Sequence, residues 1–369
     1  MKVGLIVPGG VDRSGTHRVI PFLLWLIERL AREHEVHVVA LNQEPRPCVY
    51  DLLGARVHNV GSRPRRPRAV ATVIREHRRG AFDVLHAFWA APPGVVAAVA
   101  GRLLSVPVML QSFGGDLESM PEIGFGLRSY SRGRLWLRAA VAGAARVMVS
   151  SEFTVGRAEA LGIVAERLPL GVSIQDWPPR EPVRREAGEP VRLLHVATLN
   201  PVKDQATLLR AVSLLSGAYP DLHLDVVGED ISGGEVQRLA ESLGLSDRVT
   251  FHGFQPHSVL RGLVERAHVA LVSSRHECGP LVLLEAAVAG VPTVGTSVGH
   301  IVSWSPEAAV AVPVGDHEAL ASAAQGLLMD EDRRMRVARA AQRLALEEDA
   351  DWSAARVVEH YHELQQSSS

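Results

Sequence analysis

Residues 276–292 read HECGPLVLLEAAVAGVP, and the only acids in this run are Glu277 and Glu285. Gly279-Pro280 signals a helix start, with Pro280 suited to the first helical position, and Gly290 with Pro292 marks the stop. Between these signals every residue but Glu285 is apolar, so the helix has no solvated face and should be buried. A carboxyl on such a helix is costly unless something hydrogen-bonds to it, and the chemistry turns on what that partner is. The helix start beside Glu277 offers free amides and the positive end of a dipole, which suit a phosphate. Lys203, one of two lysines against 37 arginines, follows the strand-like run VRLLHVATL. There it is either a point cation completing a diphosphate clamp or a solvated surface lysine. Gly9-Gly10 follows the apolar run KVGLIV, where backbone amides can approach an anion, or where the chain simply turns.

Other spacings are coincidental. HECGP lacks the second histidine of a zinc HExxH helix, residues 9–15 do not spell GxGxxG, and neither GxxxxGK[ST] nor GxSxG occurs. Asp330-Glu331-Asp332 and Asp349-Ala350-Asp351 match the DxD pair that can hold a metal diphosphate, but both lie in charged stretches flanking C-terminal helices. They read as solvated faces, and no metal site is expected. Two cysteines, Cys48 and Cys278, give neither a disulfide framework nor a zinc spacing, so a reduced, cytoplasmic location is expected. Cys278 is either a thiol activated at a helix start or a small apolar residue.

The elements that must position these groups alternate. KVGLIV, a helix through FLLWLIERLAREH, EVHVVAL, DVLHAF, PPGVVAAVAGRLL, VPVMLQS and RVMVSS form a βαβα rhythm, which predicts a parallel sheet covered on both faces. Proline-rich DWPPREPVRREAGEP interrupts it, and the rhythm restarts with VRLLHVATL, HLDVVG, VTFHG, VALVSS and PTVGT. At 369 residues, two α/β domains are the natural organisation. The expected boundaries are 1–172, a linker over 173–190, a second domain over 191–349, and a C-terminal helix over 350–369 returning to the first domain. Open parallel sheets bind ligands beyond the carboxyl ends of their strands, so the cleft between two such domains is the expected site. The net charge of −2 conceals a first half (residues 1–170) with 22 basic against 14 acidic residues and a remainder with 17 against 27. Residues 95–110, the most apolar stretch, are interrupted by Arg102, and the N-terminal run reads as a strand rather than a signal peptide.

HECGPLVLLEAAVAGVPTV resembles the donor-site motif of the family 4 (group 1) glycosyltransferases of GT-B fold, in which two glutamates are separated by seven residues. The GG loop, DVLHAFWAAPPG, SFGGDL, LGV, HVATLNPVKDQATLLRA, VVGED and VTFHGF fall in the family's order over nearly the whole chain. The resemblance implies two doubly wound Rossmann-like domains facing across a cleft. It also implies a retaining enzyme that moves a sugar from a nucleoside-diphosphate sugar, UDP by default and GDP second, with no divalent metal or other cofactor. Glu285 would then bond the ribose hydroxyls and Glu277 the donor sugar. Lys203 would neutralise the departing diphosphate, and the loop at Gly279, Pro280, Leu281 and Val282 would approach it, although Pro280 has no donor. Gly9 and Gly10 would close from the other domain, and backbone near Gly253 and Phe254 would meet the base.

Two departures accompany the likeness. Where the family often has Gly-Arg ahead of its lysine, this chain has Ala197-Thr198, so one phosphate-clamping cation is missing unless Arg275 supplies it. The family's HGxD segment reads Phe113-Gly114-Gly115-Asp116, and Phe113 cannot bond a sugar; His17 or His86 are the substitutes on the acceptor side. The acceptor is a glycan, a lipid-linked sugar or a small molecule. Arg63, Arg65, Arg66 and Arg68, and the segment RSYSRGRLWLRAAV, suit an anionic bilayer surface or lipid-linked acceptor, or equally a core helix with a solvated arginine face. Nucleic acid is not expected as a partner. A sugar-nucleotide epimerase on the same architecture is the alternative, and a two-domain binding protein is a third reading.

Overall fold

The structure is a computed structural model describing residues 1–186 and 188–366. It divides into two compact units, one of residues Met1–Ser173 with the segment from Glu348 onward, the other Ile174–Glu347.

The first unit is built on β1 (Lys2–Val7), β2 (Glu35–Ala40), β3 (Cys48–Leu52), β4 (Ala55–Asn59), β5 (Val84–Phe88), β6 (Val108–Ser112), β7 (Arg146–Val149) and β8 (Glu166–Arg167). They lie in the order β3-β4-β2-β1-β5-β6-β7-β8, all parallel except β3 against β4. Successive residues of β1 point to opposite faces. Leu5 enters one core with Leu23, Ile27, Val357 and Tyr361, and Ile6 enters the other with Val39, Val73, Leu85 and Ala97. Burial on both faces is why β1 reads as a continuous apolar run. The hairpin of β3 and β4 has no counterpart in the βαβα reading. It turns at Leu53-Gly54, both with positive φ, and its exposed face leaves little apolar signal.

The C-terminal helix Ala350–Gln366 packs on the helix Pro21–Leu30 and on β5. Arg29 Nε donates to Asp351 at 2.7 Å, and the Ala350 amide donates to the Val172 carbonyl at 3.0 Å. A Cβ at Gly171 would overlap the backbone of Glu348 and Asp349, so glycine is what lets this segment approach. The acidic triplets near the C-terminus are spent structurally. Asp330 accepts from the Arg333 amide, Asp332 pairs with Arg184, and Asp349 accepts from the Trp352 amide.

The second unit is an all-parallel sheet of β9 (Arg192–Val196), β10 (His223–Val227), β11 (Val249–Phe251), β12 (Val269–Val272), β13 (Thr293–Thr296) and β14 (Val310–Val312), ordered β11-β10-β9-β12-β13-β14. The order reverses direction at β9 and β12, so the loops after those two strands flank the switch point where doubly wound sheets take ligands. The proline-rich stretch lies on this unit. Trp177 is buried edge-on to His257, the Arg180 amide donates to the Val288 carbonyl, and buried Arg334 donates to the Val183 carbonyl.

Candidate functional site

In the second unit, the loops after β9 and β12 bring Lys203, Glu277 and the start of the helix Leu281–Val288 together. Asn200 Oδ1 accepts from the amides of Val202 and Lys203, at 3.1 and 3.2 Å, and shapes the turn that carries the lysine. Ser273 Oγ donates to the Lys203 carbonyl at 2.7 Å, tying the loop after β9 to the end of β12. Lys203 Nζ then donates to Glu277 Oε1 at 2.5 Å, and Ser274 Oγ donates to the same oxygen at 2.7 Å. The sequence suggests separate ligand duties for these two residues; the structure pairs them with each other. Gly299, at φ +55, backs the turn: a Cβ there would press on the Cys278 carbonyl and the Glu277 Cβ at 3.0 and 3.2 Å.

The helix begins at Leu281 with Pro280 as its N-cap, one residue later than the proline signal implies. Pro280 caps with no side-chain hydrogen bond, the Leu283 amide bonds the Pro280 carbonyl, and the amides of Leu281 and Val282 belong to the unpaired first turn. Residues 282–288 are all buried, as the all-apolar pattern predicts. Glu285 is only 3% exposed. Among the described residues no donor hydrogen-bonds to it, and burial alone pushes its carboxyl up to about 8. No described residue therefore supplies its partner.

The neighbours fix what else can act. Arg275 Nε donates to Asp204 Oδ2 at 3.3 Å, and Asp204 caps the helix Gln205–Ala218. This guanidinium is thus half-committed where the sequence offered it as a spare phosphate cation. His195 lies buried under the loop, bonds the Leu271 carbonyl at 2.9 Å and is pushed down to about 4 by desolvation, so it stays neutral. At the end of β11, Gly253 has φ +63 and Phe254 is exposed. Cys278 Sγ lies 3.5 Å from His276 Nε2.

In the first unit, Gly9 and Gly10 follow β1 directly. Gly10 has φ +80, and a Cβ on it would overlap Ile20, so only glycine fits. His17 is exposed on the same loop. His86 is not available to an acceptor: it is wholly buried, its Nδ1 lies 2.7 Å from the Tyr361 hydroxyl, and desolvation takes it down to about 3. Phe113 is buried in an aromatic cluster with Phe22, Phe88 and Trp89, with the Phe22 ring stacked at 4.9 Å. Asp116 is turned inward. Its Oδ2 accepts from the Ala90 amide at 2.8 Å and from Ser112 Oγ and the Phe113 amide at 3.3 Å, bracing the loops after β5 and β6. Burial raises it to about 7 against those bonds. The HGxD-like segment is thus a packing element here.

Among the described residues one cluster has the makings of a metal centre: His37, His58 and Glu76, with ligand atoms within 4.8 Å of one another. His37 Nδ1 faces His58 Nε2 at 3.0 Å, and His37 Nε2 faces Glu35 at 2.9 Å. Arg75 and Arg79 already hold the Glu76 carboxylate, and Lys2 Nζ sits on its carbonyl. Glu76 is thus already paired, and Arg75, Arg79 and Lys2 ring the cluster with positive charge, which offers a dication little.

Two family models match the chain, Glycosyl transferases group 1 over residues 180–344 and Glycosyl transferase 4-like domain over residues 19–171. The D-inositol 3-phosphate glycosyltransferase of Corynebacterium urealyticum is 31% identical over 196 residues, 50% of this chain and 46% of that relative. At such matches the chain spans about half the length of the curated relatives it resembles. Sucrose-phosphate synthase of Thermosynechococcus elongatus superposes with TM-score 0.82 and 20% identity over 100% of both chains. Anabaena HepE in complex with UDP superposes with TM-score 0.76 and 18% identity over 98% of this chain and 100% of that one.

The Glu285 carboxyl, raised from 4.5 to about 8 by burial, makes the folded state bind more protons than the unfolded one between those values. Its contribution to stability is complete below pH 4.5 and is lost as pH rises through 8. Ligand-free Glu285→Gln should therefore gain on wild type as pH rises, by on the order of 3 kcal/mol at pH 7. Urea denaturation of both proteins at pH 5, 7 and 8.5 reads the difference; a constant difference would mean the carboxyl is not held protonated.

Proposed function

Because the chain belongs to the group 1, family 4 glycosyltransferases and has the GT-B fold, we propose that it transfers a sugar from a nucleoside-diphosphate sugar to an acceptor hydroxyl. The observation that carries this reading is Glu285, a buried carboxyl with no donor among the described residues, on the helix whose start adjoins a lysine–glutamate pair. A ribose brings two adjacent hydroxyls, and a carboxylate can accept from both. UDP is the proposed carrier, supported by the fold shared with HepE, which binds UDP.

During transfer the bond between the anomeric carbon and the diphosphate oxygen breaks, the acceptor hydroxyl oxygen takes its place, and the hydroxyl proton passes to the departing diphosphate. Charge grows on the leaving diphosphate. Lys203, already held within the site by Glu277 and the Asn200 turn, is positioned to meet that charge, and the Leu281 and Val282 amides add to it. Glu277 retains the Ser274 hydroxyl and a free oxygen for the donor sugar. The proposal assigns retention of anomeric configuration and needs no resident cofactor. An epimerase would convert the sugar nucleotide without an acceptor; no feature of the site favours it.

The proposal places the acceptor, whether a glycan, a lipid-linked sugar or a small molecule, with the first unit. It puts the enzyme in the cytoplasm, in contact with anionic membrane. Residues 123–151 contain no acid and carry Arg128, Arg132, Arg134 and Arg138, with Tyr130 and Leu135 exposed beside them. Among the described residues no helix is long and apolar enough to cross a membrane.

A thermal-shift panel of UDP, GDP, ADP and their sugar conjugates should single out one diphosphate; at 100 times its dissociation constant it adds about 2.7 kcal/mol. Lys203→Ala should lower kcat by about 100-fold with that donor, and proton NMR of the product should show the donor's anomeric configuration. No shift with any nucleotide contradicts the reading. For the membrane contact, vesicles containing phosphatidylglycerol should sediment wild type at low salt and lose an Arg132→Gln/Arg134→Gln/Arg138→Gln variant; equal binding of both would remove it.

A further inference from the structure

The loops that follow β1 and β2 meet over a cavity of about 440 Å³ lined by Arg13, Glu44, Pro45, Arg46 and Cys48. β1 and β2 are adjacent parallel strands, so both loops leave the carboxyl edge at which such sheets take ligands. The loops are pinned from below. Buried Asn59, the last residue of β4, accepts at Oδ1 from the amides of Gln43 and Glu44, both at 3.1 Å. Its Nδ2 donates to the carbonyls of Glu44 and Arg46 at 3.0 and 2.7 Å. Buried Gln43 reaches the other way, accepting from the Val11 amide at 2.9 Å and donating to Asp12 Oδ2 at 3.3 Å. The Tyr50 hydroxyl donates to the Val11 carbonyl at 2.6 Å. Buried side chains whose hydrogen bonds all go to fixing surface loops supply the rigidity that a binding loop needs.

These loops present uncommitted positive charge. Arg13 lies over the Tyr50 ring, 5.1 Å from its centroid, with Nη2 3.8 Å from Cys48 Sγ. Among the described residues neither Arg13 nor Arg46 has a carboxylate partner. The acid in the lining has its own cation, since Glu44 Oε1 and Asp12 Oδ2 share Arg18, at 2.5 and 2.6 Å, which leaves the loops' three arginines in excess of the two acids. Two arginines that line one cavity and have no carboxylate partner among the described residues suit an oxyanion, whose oxygens match the guanidinium fork.

We propose that this cavity is the subsite for an anionic group on the acceptor, a phosphomonoester of a sugar or polyol, with Arg13 and Arg46 pairing to its oxygens. The word acceptor rests on the glycosyltransferase reading; the anion site does not. A cavity of this volume suits a hexose-sized ligand. A soluble sugar phosphate and the phosphate of a lipid headgroup present the same chemistry.

The test titrates the full chain with glucose 6-phosphate and with glucose by calorimetry at low salt, alongside UDP, and repeats it on Arg13→Gln/Arg46→Gln. Vesicles of phosphatidylcholine with phosphatidic acid form a second arm. Glucose 6-phosphate should bind wild type better than glucose and weaken by at least about tenfold in the double variant, with UDP affinity and melting temperature unchanged. A loss seen only with the vesicles assigns the phosphate to a lipid. Equal affinity for the phosphate in wild type and variant, or no binding by wild type in either arm, overturns the inference. Phosphate binding without UDP binding would sustain this site and contradict the glycosyltransferase reading instead.

Discussion

An ionisable group buried without a donor among the described residues sets the terms for the second unit. Glu285 stands on a helix that is otherwise Leu, Val and Ala, and its desolvation would be smallest if the position were apolar. The unit tolerates it by keeping the carboxyl protonated. Around it the rest is firm: β12 and β13 flank the helix from the sheet, Gly299 allows close contact behind residues 277–278, and the Asn200 turn sets Lys203 opposite Glu277. The Lys203–Glu277 pair is the complementary device. It is partly exposed, so each charge has an interim partner until a ligand with its own anion and hydroxyls arrives.

The first unit holds its loops by different means. There three buried polar side chains send their hydrogen bonds to loop backbone: Asn59 and Gln43 to the loops after β2 and β1, and Asp116 to the loops after β5 and β6. The outcome is a set of shaped loops carrying arginines, against a second unit in which the unsatisfied group itself is the binding element. The charge asymmetry between the halves of the chain has this local form.

Much of this was readable from the chain. The apolar strands and the all-apolar helix around Glu285 follow from side-chain periodicity, because both are buried on every side and no tertiary contact competes with the pattern. Lys203 and Glu277 stand out in the sequence one by one, but not as a pair, since a contact between residues 74 apart leaves no local trace. His86 and Asp116 misled for the same reason. Spacing shows that a polar residue lies in a strand, as His86 does, or after one, as Asp116 does, not whether it faces solvent, and these two face inward, onto Tyr361 and onto the Ala90 amide. The β3–β4 hairpin escaped because its strands are short and Val49, Asp51 and Arg56 on them are exposed, which leaves no continuous apolar run. Asn59, which pins the loop of the Arg46 cavity, carries no motif at all.

The central claim is that Glu285 waits for a ligand's hydroxyls. A carboxyl held near 8 when empty should ionise when two ribose hydroxyls donate to it, so binding near pH 7 should release a proton. Calorimetry of the binding nucleoside diphosphate in buffers of different ionisation enthalpy measures that directly. The account predicts release approaching one proton by wild type at pH 7 and almost none by Glu285→Gln, which should also bind more weakly. Tight binding with no proton release, unchanged in Glu285→Gln, would contradict it.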